Sequence, residues 1–152
     1  MKVYTVSVPK SAIEGFKLFA VDRHPKEAYA VLFGHINGSR ATVRDLWYPE
    51  DQRRFATSRD TETVLGRMAW LRKAIDIAES SGVSVIGDMH SHPVENKECL
   101  NDPAPSYTDW AVAWGQLWIT GICVVVKTPR RTATRVKFWP PIQRPRLHLT
   151  TL

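Results

Sequence analysis

The 152-residue sequence has only two cysteines, Cys99 and Cys123, and no long uninterrupted hydrophobic run. Two cysteines cannot form a disulfide scaffold or a four-cysteine zinc site. The most apolar stretch, residues 110–126, is interrupted by Gln116, Thr120 and two glycines, so a helix followed by a strand explains it better than a membrane span. The N-terminus lacks the apolar run of a signal peptide. We therefore expect a soluble, cytoplasmic protein with both thiols reduced.

Motifs of several enzyme classes are also missing. The sequence has no His-Glu-x-x-His, no His-x-Glu with a Pro-Cys-x-x-Cys as in zinc deaminases, and no glycine-rich phosphate loop. These absences argue against a nucleotide-binding enzyme and against two large classes of zinc hydrolase. The composition itself, 43% hydrophobic and 24% charged, is ordinary for a globular chain of one domain. A net charge of +6 favours acidic partners but does not determine the fold.

Along the chain, the spacing of apolar residues alternates between the period of a β-strand and the period of an α-helix. Valine- and threonine-rich or continuously apolar runs predict strands at residues 2–8, 28–36, 41–48, 83–87, 122–127 and 134–139. Asn37-Gly38, between the second and third of these, is a strong signal for a hairpin turn. Outside this hairpin, helical segments separate several of the predicted strands. The pattern therefore favours an α/β fold, with a mixed β-sheet flanked by helices.

Three helices are predicted, at residues 9–23, at residues 60–80 and from Ser106 onward. In the second helix, one apolar stripe is formed by Val64, Met68, Leu71, Ile75 and Ala78. Residues 93–105 show no periodicity, which predicts a loop. We assign one domain to residues 1–140 and regard residues 141–152, which contain prolines and are basic, as an extended tail.

Two histidines follow the predicted strand at 83–87, in the segment His90-Ser91-His92-Pro93. Residues i and i+2 of a strand point to the same face, so two neutral imidazoles could converge there as half of a tetrahedral zinc shell. Asp88 could hold one of the rings by its other nitrogen. Five histidines in 152 residues make a chance pair possible, and both could equally be ordinary surface or loop residues.

Ser106 and Asp109 open the third predicted helix. Asp109 could supply a third zinc ligand and leave the fourth position open for water, which is the pattern of a catalytic zinc site. The same Ser-x-x-Asp spacing is close to a capping box, with Ser106 at the N-cap. The two interpretations are compatible, because a helix N-terminus would hold Asp109 rigidly.

The ordered pattern His-x-His-Pro followed by Ser-x-x-Asp resembles the JAMM (MPN-plus, JAB-type) zinc metalloproteases, in particular their small prokaryotic single-domain members. The resemblance implies the JAB/MPN architecture, which is similar to cytidine deaminases, and one zinc ion (Zn2+) per chain. It implies His90, His92 and Asp109 as the metal ligands and Ser106 as a residue that stabilises the oxyanion. The distant glutamate of the signature matches Glu27, which precedes an apolar run ending in glycine.

The resemblance also implies an activity, that of a metallo-isopeptidase or peptidase that uses a zinc-bound water with Glu27 as general base. Family members often cleave after the C-terminal tail of ubiquitin-like proteins, and small members process ubiquitin-like or sulfur-carrier proteins. We therefore expect such a protein as the substrate and no membrane partner. The loop at 93–104 is several residues longer than is usual between the second histidine and the serine, so specificity could differ here.

The sequence leaves four points open. A non-catalytic MPN-type scaffold that binds a partner is one alternative, although scaffolds of that kind lack the histidines that this chain keeps. A DNA-repair-associated JAMM-like family has a similar signature, and the basic charge would suit phosphate contacts, although no DNA-binding motif is present. In some JAMM relatives a pair comparable to Cys99 and Cys123 is bridged. The oligomeric state is not predicted.

Overall fold

The computed structural model describes residues 5–50, 61–94, 100–105 and 119–139, with the backbone alone for 61–69. Two helices and six strands follow in the order β1 (Thr5–Ser7), α1 (Lys10–Arg23), β2 (Tyr29–Asn37), β3 (Arg40–Trp47), α2 (Thr61–Ser80), β4 (Ser84–Val94), β5 (Ile119–Thr128) and β6 (Arg131–Trp139). Neither helix of this described part is long and apolar enough to cross a membrane.

The six strands form one mixed sheet in the order β1-β3-β2-β4-β5-β6. Strand β1 runs parallel to β3, and β4 runs parallel to β5, while the β2–β3, β2–β4 and β5–β6 pairs are antiparallel. Strands β4 and β5 are both interior strands of the sheet, and most of their residues are buried. The predicted α/β fold with a mixed sheet is confirmed.

Helix α1 covers one face of this sheet. Phe16 and Ala20 are its buried residues, and they pack with Leu32, Met89 and Val125 from three neighbouring strands. Pro9 stands directly before the helix, where its fixed backbone and missing N–H suit a helix start. This larger apolar cluster is the main core of the protein.

Helix α2 covers the opposite face, over β2 and β4. Ala74 and Ala78 are fully buried there, and Trp70 stacks on Tyr29 with ring centroids 5.7 Å apart. Ile75 is 38% exposed, so the predicted stripe is wrong at this position. The physical reason is side-chain size. The positions of α2 that face the sheet hold the small residues Ala74 and Ala78, and the larger Ile75 is left partly exposed to solvent.

Two turns require a left-handed backbone, and glycine occupies both. Gly38 has φ 58° in the β2–β3 hairpin and Gly82 has φ 70° after α2. The Asn37-Gly38 hairpin and the helix end before residue 82 were both predicted from sequence. The first turn follows β2 and the second precedes β4, and these two strands carry the candidate site.

Strand β4 is longer than predicted. The prediction ended it at residue 87, whereas it continues to Val94 and includes both histidines, so the predicted loop at 93–105 begins later than expected. The reason is that β2 and β5 flank β4 and pair with it beyond Gly87. The predicted third helix and the tail at 141–152 lie outside the described residues.

Candidate functional site

The site is built on β4, where His90 and His92 occupy alternate positions on the face that α2 covers. Their Nε2 atoms lie 3.1 Å apart, and their rings are tilted by 56°. His90 is only 2% exposed, while His92 is half-buried. The strand geometry thus brings two ring nitrogens to one point at the boundary between the interior and the surface.

This separation fits a shared zinc ligand set. With Zn–N bonds of 2.0–2.1 Å, two nitrogens of a tetrahedral site are separated by about 3.3 Å. A direct N–H···N hydrogen bond between His90 and His92 is also compatible with 3.1 Å. The geometry therefore shows two convergent imidazoles whose Nε2 atoms can share a proton or a metal ion.

Asp88 lies on the same face, one alternate position before His90. Its Oδ2 is 3.7 Å from His90 Nδ1, too long for a direct hydrogen bond, and the two form an ion pair only when the imidazole is protonated. The carboxylate is buried, and its Oδ1 has no hydrogen-bond partner within the described ranges. A carboxylate on the Nδ1 side favours a proton at that nitrogen and leaves the Nε2 lone pair facing His92.

The backbone directly after Glu27 is held against β4 by two hydrogen bonds. The Ala28 N–H donates to Ser91 Oγ at 2.7 Å, and the Ser91 N–H donates to the Ala28 carbonyl at 2.9 Å. Tyr29 then pairs with His90 in the antiparallel β2–β4 register. Glu27 itself precedes β2, and continuing this register by two residues would set it level with His92. The Glu27 carbonyl also accepts a hydrogen bond from Arg23 Nε at 3.2 Å.

Apolar clusters flank the histidines on both sides. One contains Tyr29, Trp70 and the buried face of α2. The other contains Ile122, Val124 and Leu100, beyond the histidines toward β6. Two apolar clusters thus flank the histidines on this face of the sheet.

Residues 9–140, most of the chain, match the family of prokaryotic homologs of the JAB domain. The chain belongs to this family. No curated protein has significant sequence similarity to it.

Solved structures agree on the fold of this JAB-domain protein. The solution structure of a protein from Desulfitobacterium hafniense is 19% identical, with a TM-score of 0.53, and the match covers 90% of this chain and 91% of that one. The crystal structure of a JAB1/MPN domain protein from Archaeoglobus fulgidus is 17% identical, with a TM-score of 0.52 and coverage of 90% and 89%. The resemblance to the JAB/MPN fold that the sequence indicated is confirmed.

Of the five predicted site residues, the structure brings His90 and His92 together, while Glu27 directly precedes Ala28, which is hydrogen-bonded to Ser91 between them. Ser106 and Asp109 lie outside the described residues, so their places in the site stay predictions. Within ranges 5–50, 61–94, 100–105 and 119–139, no group of three His, Cys, Asp or Glu side chains is arranged to hold a metal.

Cys123 is separated from the site by the sheet. It is a free thiol, fully buried in the core under α1, and it pairs with Ser91 rather than with a histidine position. Burial raises the pKa of its thiol to about 12, with Lys17 opposing that rise slightly. Cys123 is thus neutral and remote from the imidazoles, in line with the expected reduced state. Cys99 lies outside the described residues.

Sequence reasoning gave no role to Ser91, although it fixes the relation between β2 and β4. Its Oγ is buried and accepts the Ala28 amide proton. The available signal was a small hydroxyl residue between the histidines, on the face where neighbouring positions are apolar. That signal alone does not reveal the partner, because Ala28 lies 63 residues earlier in the chain.

Proposed function

We propose that this JAB-domain protein is a zinc-dependent metallo-isopeptidase or peptidase. The observation that supports the proposal is the 3.1 Å separation of His90 Nε2 and His92 Nε2 on one face of β4. The proposed third ligand is Asp109, which gives three protein ligands and one open position, the arrangement of catalytic rather than structural zinc sites.

The donor set suits zinc better than a hard oxygen-binding cation. Two imidazole nitrogens and one carboxylate oxygen are a common ligand set of the borderline-soft Zn²⁺ ion, whereas Ca²⁺ and Mg²⁺ take oxygen ligands almost exclusively. The buried Asp88 carboxylate lies 3.7 Å from His90 Nδ1, on the side where a metal-binding histidine commonly has a carboxylate partner. Zinc bound there would polarise a substrate carbonyl and lower the pKa of water to about 7.

Glu27 is the proposed general base. Its carboxylate would accept a proton from the attacking water and return that proton to the leaving amine, so that no covalent enzyme intermediate is needed. The two hydrogen bonds between Ala28 and Ser91 hold its backbone beside the histidine strand. The Ser106 hydroxyl would donate a hydrogen bond to the oxygen that becomes negative when the carbonyl is attacked.

The proposed substrate is the C-terminal tail of a ubiquitin-like or sulfur-carrier protein, cleaved after its last residues. The family resemblance suggests this class. Nothing in the described residues favours a nucleic acid over a protein tail.

Zinc stoichiometry and peptide cleavage test the proposal together. Wild type should bind one Zn²⁺ per chain, and His92→Ala should lose it, whereas His35→Ala, a change at an exposed histidine of β2, should bind normally. With C-terminally extended ubiquitin-like proteins as substrates, Glu27→Gln should keep zinc and lose about 10²–10⁴ in kcat. Glu79→Gln, at an exposed position of α2, is the matched control.

Two results would count against the enzyme. Absence of zinc from wild type, or zinc that His92→Ala retains, would overturn the metal site and favour a partner-binding scaffold. Zinc binding with cleavage that is unaffected by Glu27→Gln would retain the metal and reject Glu27 as the base.

A further inference from the structure

Strand β6 holds the described end of the long segment between the histidines and Ser106. Three side chains at alternate positions of this strand donate hydrogen bonds to residues 100–103, and we name them the β6 brace. Arg135 Nη1 donates to the Leu100 carbonyl at 3.1 Å, and Lys137 Nζ donates to Asp102 Oδ1 at 2.6 Å. Trp139 Nε1 donates to the Pro103 carbonyl at 2.9 Å. The Lys137 ammonium also lies 4.1 Å from the centre of the Trp139 ring.

The brace lies on the same face of the sheet as the histidines. In the β4–β5–β6 register, His90 is level with Ile122 and then with Lys137, and His92 is level with Val124 and then Arg135. Two strand spacings of about 4.8 Å separate each pair by about 10 Å. Residues 100–103 therefore lie beside the histidine site, on its β6 side.

Burial of the same segment supports a fixed position. Pro103 and Pro105 are buried, and Leu100 packs against the apolar cluster of Ile122 and Val124. Pro105 directly precedes Ser106, and consecutive Cα atoms are 3.8 Å apart. The position of the braced segment thus sets the point from which the chain continues into the segment that carries Ser106 and Asp109.

We infer that Arg135, Lys137 and Trp139 are positioning residues, which act through residues 100–105 to bring Ser106 and Asp109 to the histidines. This inference rests on the proposed zinc site, and it gives the β6 side chains a role beyond stability. It also explains how an unusually long connection between His92 and Ser106 can serve a site that needs its third ligand held in place.

The Lys137–Asp102 pair offers the sharpest test because both side chains are exposed. An exposed ion pair adds little to overall stability, so replacing it should leave the fold intact. We would titrate the metal-free full-length protein with Zn²⁺ alone against a chromogenic chelator. Lys137→Glu places two like charges together and should weaken zinc binding about threefold to fivefold, which is the size of effect that an exposed ion pair can transmit. The double variant Lys137→Glu/Asp102→Lys restores opposite charges and should recover wild-type affinity to within about twofold.

Two further variants complete the design. Lys127→Glu makes the same charge reversal at an exposed position of β5 and should bind zinc like wild type. Trp139→Phe removes the hydrogen bond to Pro103 while keeping an aromatic ring, and it should weaken zinc binding severalfold. Thermal unfolding of every variant would show that the fold is retained.

The outcomes separate this inference from the proposed function. Zinc affinity that is lost in His92→Ala but unchanged in both Lys137→Glu and Trp139→Phe would overturn the inference and keep the metal site. Weaker binding in Lys137→Glu without recovery in the charge-swapped double variant would also overturn it. Zinc affinity that is insensitive to His92→Ala would instead overturn the proposed function.

Discussion

Ala28 and Ser91 exchange two hydrogen bonds across the start of the β2–β4 pair. One runs from the Ala28 N–H to Ser91 Oγ at 2.7 Å, and the other from the Ser91 N–H to the Ala28 carbonyl at 2.9 Å. Both partners are buried, so water cannot replace either bond. The link ties the residue after Glu27 to the residue between the two histidines, and it lies on the opposite face of the sheet from the imidazoles.

Ser91→Ala is expected to destabilise the protein by about 1–3 kcal/mol, because the buried Ala28 N–H would lose its acceptor. Urea unfolding monitored by tryptophan fluorescence would measure the loss. Ser80→Ala removes an exposed serine hydroxyl, which bonds the Asp76 carbonyl, and should change stability by less than about 0.5 kcal/mol. A loss for Ser91→Ala no larger than that for Ser80→Ala would contradict the importance of this link.

Gly87 is required by the close contact between β4 and β5, three residues before His90. A Cβ at this position would collide with the backbone carbonyl of Ile119, its partner in the parallel register. Gly87→Ala should therefore reduce the free energy of unfolding by about 1–3 kcal/mol or more, since either β4 or β5 must shift to make room for the methyl group. Gly15→Ala is the matched control on α1, where the added methyl meets no atom within 4 Å. It should stabilise the protein by about 0.5–1 kcal/mol through better helix propensity.

Local patterns were sufficient to predict most of the fold. The valine-rich runs, the Asn37-Gly38 turn and the proline before α1 each act within a few residues, and each was confirmed. The length of β4 could not be predicted in the same way. Its end at Val94 depends on pairing with β5, and polar residues such as His90 and His92 obscure the strand pattern.

The site was predictable to a similar extent. The spacing of His90 and His92 was enough to predict that they share one face of a strand, and the 3.1 Å Nε2 separation agrees. The roles of Ser91 and of Lys137 could not be inferred, because their partners lie 63 and 35 residues away in sequence. Such contacts depend on the sheet register, which no short motif specifies.

Substitutions at two neighbouring residues of α2 would test which side of the helix packs against the sheet. Ala74 is fully buried against the sheet, whereas Ile75 is 38% exposed. Ala74→Leu should therefore destabilise the protein by about 1–3 kcal/mol through overpacking, while Ile75→Ala should change stability by less than about 1 kcal/mol. Thermal unfolding of the two variants would compare them, and a larger loss for Ile75→Ala would restore the stripe that the sequence predicted.

Cys123 makes the protein sensitive to alkaline pH in a predictable direction. Burial, opposed slightly by Lys17, raises the pKa of its thiol from 9.0 to about 12. Between these two values the unfolded chain releases the thiol proton while the folded chain retains it, so stability falls as pH rises. Because 2.303RT is about 1.4 kcal/mol, this thiol should steepen the fall by up to that amount per pH unit.

The comparison that isolates this effect is between wild type and Cys123→Ala, with the free energy of unfolding measured by urea from pH 7 to pH 11. The variant should be less stable at pH 7, because a buried side chain is truncated, but its stability should fall less steeply above pH 9. Below pH 8 the two curves should run parallel, since the thiol is protonated in both states. Parallel curves up to pH 11 would instead mean that the thiol ionises as easily in the folded protein as in the unfolded chain, and that the core under α1 does not exclude water from it.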